Sequence, residues 1–75
     1  MFRLFQNVRV SRLLDTDRPF GGSRMVERAP AVGDVGTVVD IVPNVSAYLV
    51  ECIGDGGLTI WLASFDEAEL ELEPD

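Results

Sequence analysis

Five short stretches of the chain carry the apolar spacing or the β-branched content of strands. Val8 to Leu14 (V-R-V-S-R-L-L) begins with strict alternation, as a half-buried strand does. Val35 to Val42 (V-G-T-V-V-D-I-V) and Ala47 to Ile53 (A-Y-L-V-E-C-I) are rich in residues that favour a pleated surface. Leu58 to Leu62 (L-T-I-W-L) is predicted as a fourth strand. Glu69 to Glu73 (E-L-E-L-E) is a fifth, with Leu70 and Leu72 on one face and glutamates on the other.

The segments between them are punctuated by turn formers. Residues 15 to 34 lose all periodicity and hold Asp15, Asp17, Pro19, Gly21, Gly22, Ser23 and Pro30, so they read as one long loop. Such a loop is either functional or mobile in a domain this small. Met25 and Val26 are candidates to anchor it, and a short helical turn fits Ser23 to Arg28. Pro43-Asn44-Val45-Ser46 is a turn, and Gly54-Asp55-Gly56-Gly57 is the clearest hairpin signal, because tight turns need residues that tolerate positive φ. Ser64 and Glu67 stand at capping-box spacing, which predicts one helical turn before the last strand. The whole describes an all-β single domain, residues 1–75: a small five-stranded barrel with a long first loop. A flat meander completed by dimerisation is the rival arrangement.

A chain of 75 residues leaves room for one core of roughly a dozen side chains, since a domain of this size buries only about 60 % of its unfolded surface. Hydrophobic content of 47 % with 25 % charged residues is that of a globular chain, not a disordered one. No apolar run is long enough for a membrane span, and Met1-Phe2-Arg3-Leu4-Phe5 lacks the apolar stretch of a secretory signal. The single cysteine, Cys52, suits a reducing compartment, so a cytoplasmic location is expected. Charge divides the chain. Residues 1–28 hold all six arginines against three carboxylates, net +3, while residues 29–75 hold ten carboxylates and no base, net −10. Either the halves occupy different faces and make a dipolar body, or a barrel interleaves them and Arg–carboxylate pairs cancel the field.

With these elements in order, a resemblance emerges. Gly33-Asp34-Val35-Gly36-Thr37-Val38-Val39-Asp40 resembles the G-D-x-G-T-V-V-E segment of the bacterial domain of unknown function 4926 family. Tyr48-Leu49-Val50-Glu51 resembles its Y-x-V-E strand, and Asp55-Gly56 with Leu58-Thr59-Ile60 its D-G-x-T-I hairpin. Leu70 falls where that family closes with an apolar residue, and the long loop, Cys52 and Trp61 depart from it. The resemblance covers residues 5 to 72 less the loop. It implies a Src-homology-3-like barrel and carries over no catalytic residue.

The inventory argues against chemistry. There is no histidine or lysine to act as a general base or to activate Cys52, and one cysteine without histidine is no zinc site. Asp15-Thr16-Asp17 lacks the further ligands of a calcium loop. No catalytic residue, metal or cofactor is therefore expected. Cys52 alternates with Tyr48 and Val50 and reads as a core filler. Asp34 with its neighbouring glycines reads as turn chemistry, its carboxylate bonding local backbone N–H groups. The carboxylates Asp66, Glu67, Glu69, Glu71, Glu73 and Asp75 read as a solvated rim.

That leaves binding. If Ile60 and Leu62 point inward, Trp61 points out as an interface anchor, and this reading is taken over its alternative, Trp61 in the core. Phe20 at the loop tip is a second anchor. Arg18 and Arg24 on the loop, with Glu69 and Glu71 on the last strand, complete the expected partner-binding set. The expected role is a non-enzymatic protein-interaction module, on charge and size an immunity- or antitoxin-like partner of a basic protein. The alternatives are weak RNA binding by Arg9, Arg12, Arg18, Arg24 and Arg28, which the net charge disfavours, and a structural subunit or homodimer.

Overall fold

The computed structural model of the chain describes residues 1–21 and 26–74. Five strands, β1 (Asn7–Val10), β2 (Val35–Val42), β3 (Ala47–Ile53), β4 (Thr59–Asp66) and β5 (Leu70–Leu72), form one antiparallel sheet in the order β4-β3-β2-β1-β5. No ladder joins β4 to β5 among the described residues, so the sheet is open. Three single 3-10 turns, Pro43–Val45, Asp55–Gly57 and Glu67–Glu69, provide the only helical structure there. None is long and apolar enough to cross a membrane.

β2 and β3 match the predicted spans residue for residue, because each is bounded by its own turn. At the β3–β4 hairpin, Gly56 and Gly57 take φ of +81° and +79°, conformations that only glycine adopts readily. The other elements shift. β1 stops at Val10, where the chain bends so that the N–H groups of Ser11 and Arg12 donate to the Glu69 carbonyl (2.8 and 3.3 Å). β4 runs four residues further than expected. The cap falls on Asp66 and Glu69 instead of Ser64 and Glu67, with the Asp66 N–H donating to Glu69 Oε1 at 2.9 Å.

Strand phase decides the core. From Ala47–Asp66 to Cys52–Trp61 the β3–β4 register is unbroken, and cross-strand partners share a face. Tyr48, Val50 and Cys52 face inward, so Phe65, Ala63 and Trp61 opposite them do too. The outward reading of Trp61 is thereby corrected: its side chain is fully buried. The register slips beyond it, Ile53 pairing with Thr59, so Ile60 is the extra residue of a bulge. Ending the strand at Leu62 had hidden the inward series Trp61, Ala63, Phe65. With Phe2, Val8, Val10, Val38 and Leu70 these side chains make one core cluster fed by every strand. A single sheet whose inner face alone forms the core must curve over itself.

Close packing of β2 on β3 requires Gly36. A Cβ there would stand 2.7 Å from Val50 Cγ1 and 2.8 Å from the Glu51 carbonyl oxygen, and backbone does not yield easily. Gly36→Ala should lower unfolding free energy by about 1–3 kcal/mol in chemical denaturation, a typical overpacking cost. Trp61 emission should be blue-shifted and resist acrylamide quenching in the native state, as its burial requires.

Candidate functional site

Among the described residues, three arginine–carboxylate ion pairs join the basic first part of the chain to its acidic remainder: Arg18–Glu69, Arg28–Asp34 and Arg9–Glu73. The first is interior. Arg18 reaches under the loop so that Nη2 bonds Glu69 Oε2, Nη1 donates to the Ser64 carbonyl (2.5 Å) and Nε to the Asp15 carbonyl (2.8 Å). Its guanidinium lies 4.3 Å from the Phe65 ring centroid, within cation–π range. Glu69 also accepts from the Leu14 N–H at 2.7 Å. Burial alone would raise the Glu69 pKa, but Arg18 and the N–H groups of Leu14 and Asp66 outweigh it and hold the carboxylate below its usual range. Glu69 is thus no part of a solvated rim, and Arg18, with donors committed to these acceptors, is no free surface cation.

The second pair is half-buried. Arg28 grips Asp34 with two bonds of 2.7 and 3.0 Å, and Asp34 Oδ2 accepts from the Ala31 N–H (2.9 Å) and from Trp61 Nε1 (2.8 Å). The bond from the Ala31 N–H is the turn chemistry expected of Asp34, and Gly33 before it has φ +96°. Burial pushes the Asp34 pKa up, and the bonds from Arg28, Trp61 and Ala31 more than reverse it. Cys52 is in the core as expected, where burial, with Asp34 nearby, raises its thiol pKa.

Between its two clamps the loop seals the outer edge of β4. Ile60 accepts from the N–H groups of Glu27 and Arg28 (2.9 and 3.2 Å), and the Leu62 N–H donates to the Phe20 carbonyl at 3.2 Å. An exposed strand edge is an aggregation hazard, and here the loop satisfies it. Phe20 therefore sits beside β4 with 37 % of its surface exposed. Arg24, and with it much of the Ser23–Arg28 helical turn, lies outside the described residues.

What remains open is the outer face of β2–β4. A bulge at Val39 resets β2, so Asp40 pairs with Leu49 and Val42 with Ala47 on that face. Leu62 lies opposite Glu51, and Ser64 opposite Leu49. Two adjoining grooves of about 260 and 430 Å³ run there, one between Pro19, Gly21, Leu49 and Leu62, the other between Leu14, Val45, Ala47 and Asp66. Half-buried or exposed Val42, Val45, Leu49 and Leu62 form an apolar strip, and exposed Asp15, Asp40 and Asp66 frame it with negative charge.

Of the expected partner-binding set, the structure brings together Arg18 with Glu69, both buried, and sends Trp61 to the Asp34 clamp inside the core. Phe20 borders the grooved face, and exposed Glu71 lies on β5 opposite Arg9. Val42 joins the outer-face strip only through the Val39 bulge, which no turn signal announces, and Leu62 only through the inward phase of Trp61 and Ala63. Among the described residues no three His, Cys, Asp or Glu side chains converge as a metal site would require.

Comparison with known protein families, characterised proteins and solved structures returns no match.

The contrast between Glu69 and Glu71 is directly measurable. Glu69→Ala, which strands a buried guanidinium, should cost about 3–5 kcal/mol, whereas Glu71→Ala should stay within about 0.5 kcal/mol. Asp34 and Glu69 both titrate lower in the folded state than in the unfolded one. Their stabilisation is complete above the unfolded carboxylate range, about pH 4, and is lost as pH falls through the depressed folded values. Thermal melts should accordingly be insensitive to these two groups from about pH 8 to 5 and drop below about pH 4.

Proposed function

We propose that the chain is a non-enzymatic protein-interaction module that binds a basic partner through the outer face of β2–β4. The observation that carries this is the apolar strip of Val42, Val45, Leu49 and Leu62 framed by Asp15, Asp40 and Asp66. An apolar centre with a charged rim is the anatomy of a protein interface, and carboxylates at the rim select and steer a cationic surface. An immunity- or antitoxin-like role, covering the basic site of another protein, fits this chemistry and the chain's net charge of −7. The strand order, the long β1–β2 connection and the 3-10 turn before β5 support the Src-homology-3-like reading of the fold.

Catalysis has little support. The carboxylates with lowered pKa, Asp34 and Glu69, are already saturated by arginines and amides and are poorly suited to proton transfer. Nucleic-acid binding loses ground too, since Arg9, Arg18 and Arg28 spend their charge on Glu73, Glu69 and Asp34.

Co-purification with the tagged full chain should recover a basic protein. That complex should weaken by about tenfold or more between low salt and about 0.5 M salt, where surface charges are screened. The double substitution Asp40→Lys and Asp66→Asn, in which asparagine keeps the cap that Asp66 provides, should weaken it as much at low salt while leaving the melting temperature near wild type. A complex indifferent to both salt and these substitutions contradicts the proposal; recovery of RNA instead supports the nucleic-acid reading.

A further inference from the structure

At the opposite end of the sheet, away from the strip, Phe5 is held in a conformation that bulky residues avoid. Its φ is +68°, and 76 % of its surface is exposed. The backbone is pinned there: the Phe5 N–H donates to the Val38 carbonyl at 2.7 Å, and the Val38 N–H to the Gln6 carbonyl at 3.0 Å. The ring is thus presented to solvent by a fixed and strained backbone, an arrangement that concentrates at functional positions. Beside it Leu72 pairs with the buried Val8, yet is 53 % exposed. Phe5, Gln6, Asn7, Leu72, Glu73 and Pro74 line a groove of about 560 Å³.

We infer that this groove is a self-association surface whose occupant is a second copy of the chain, each Phe5 ring entering the other's groove beside Leu72 and Pro74. Charge selects the occupant. A body of net charge −7 repels its own copy wherever carboxylates meet carboxylates, as on the grooved face of β2–β4. At this end the adjacency of β1 and β5 mixes the signs: Arg9 bridges to Glu73 and lies opposite Glu71, and exposed Arg3 precedes Phe5 by two residues. A two-fold contact here avoids massed carboxylates, since Arg9 already neutralises Glu73, and sets Arg3 of one copy against Glu71 of the other, the self-complementarity an isologous interface needs. The same charges disfavour the simpler alternative of β5 pairing with β5 centred on Glu71, which would set Glu71 against Glu71.

The contact is small and should be weak. A specific interface at the low end of size buries about 600 Å² per partner, roughly an eighth of this molecule's 4994 Å² of surface. One aromatic anchor supplies about 150–250 Å² of that.

Sedimentation velocity of the purified full chain, from low micromolar to near-millimolar concentration, tests the assignment. The wild type should move reversibly from monomer towards dimer. Phe5→Gly removes the ring and suits the left-handed backbone, so a residue with only a structural role would leave association unchanged. The expected result is a dimer dissociation constant raised about tenfold or more, with the melting temperature of the dilute monomer within a few degrees of wild type. Leu72→Glu reads the same groove from its other wall and should do likewise, which covers the case of Phe5→Gly failing to fold. A wild type that stays monomeric throughout, or a dimer that neither substitution weakens, overturns the inference.

Discussion

The Glu69 carboxylate is bonded to three separate parts of the chain: the Arg18 guanidinium in the loop, the Leu14 N–H after β1 and the Asp66 N–H at the end of β4. Its backbone carbonyl holds Ser11 and Arg12 as well. In a domain with no helix longer than one turn among the described residues, this is what fixes the long connection against the sheet. A buried ion pair is worth little in itself, because desolvation offsets the attraction. It persists here because both of its members find further hydrogen-bonding partners, and removing either would leave the other charged and unmet. The Arg28–Asp34–Trp61 cluster repeats the principle at the loop's far end with one indole donor replacing an amide.

The two clamps explain how a connection with no regular structure can serve the fold. It supplies carbonyl and N–H partners to Ile60 and Leu62 along an edge that would otherwise invite pairing with another chain. Among the described residues the opposed charges of the two parts of the chain meet in ion pairs. They interdigitate, and three arginines are neutralised in place by Glu73, Glu69 and Asp34. Asp40 and Asp66 on the outer face of β2–β4 then give an acidic border to the face with apolar content.

β2, β3 and the hairpin between β3 and β4 were legible in the chain because local chemistry specifies them: β-branched runs closed by Pro43, Ser46 and paired glycines. The end of β4 was not. Ser64-Phe65-Asp66-Glu67-Ala68-Glu69 contains two overlapping capping boxes, one starting at Ser64 and one at Asp66. Local propensity has no means of choosing between them. The second forms because Phe65 continues the inward series of β4 and because Glu69, so placed, also meets Arg18. The same choice moved Trp61 from the surface to the core and Glu69 from the rim to the interior.

Sequence alone determined an all-β chain, its turns, an inward Cys52 and a surplus of carboxylates, since each follows from residue type and short-range spacing. Tertiary structure decided which face each apolar residue takes in β4, which arginines remain free and where an open apolar surface survives. Those outcomes depend on strand phase, and a single bulged residue such as Val39 or Ile60 inverts it. They also depend on charges more than 50 positions apart in the chain meeting, as Arg18 and Glu69 do. Spacing along the chain encodes neither.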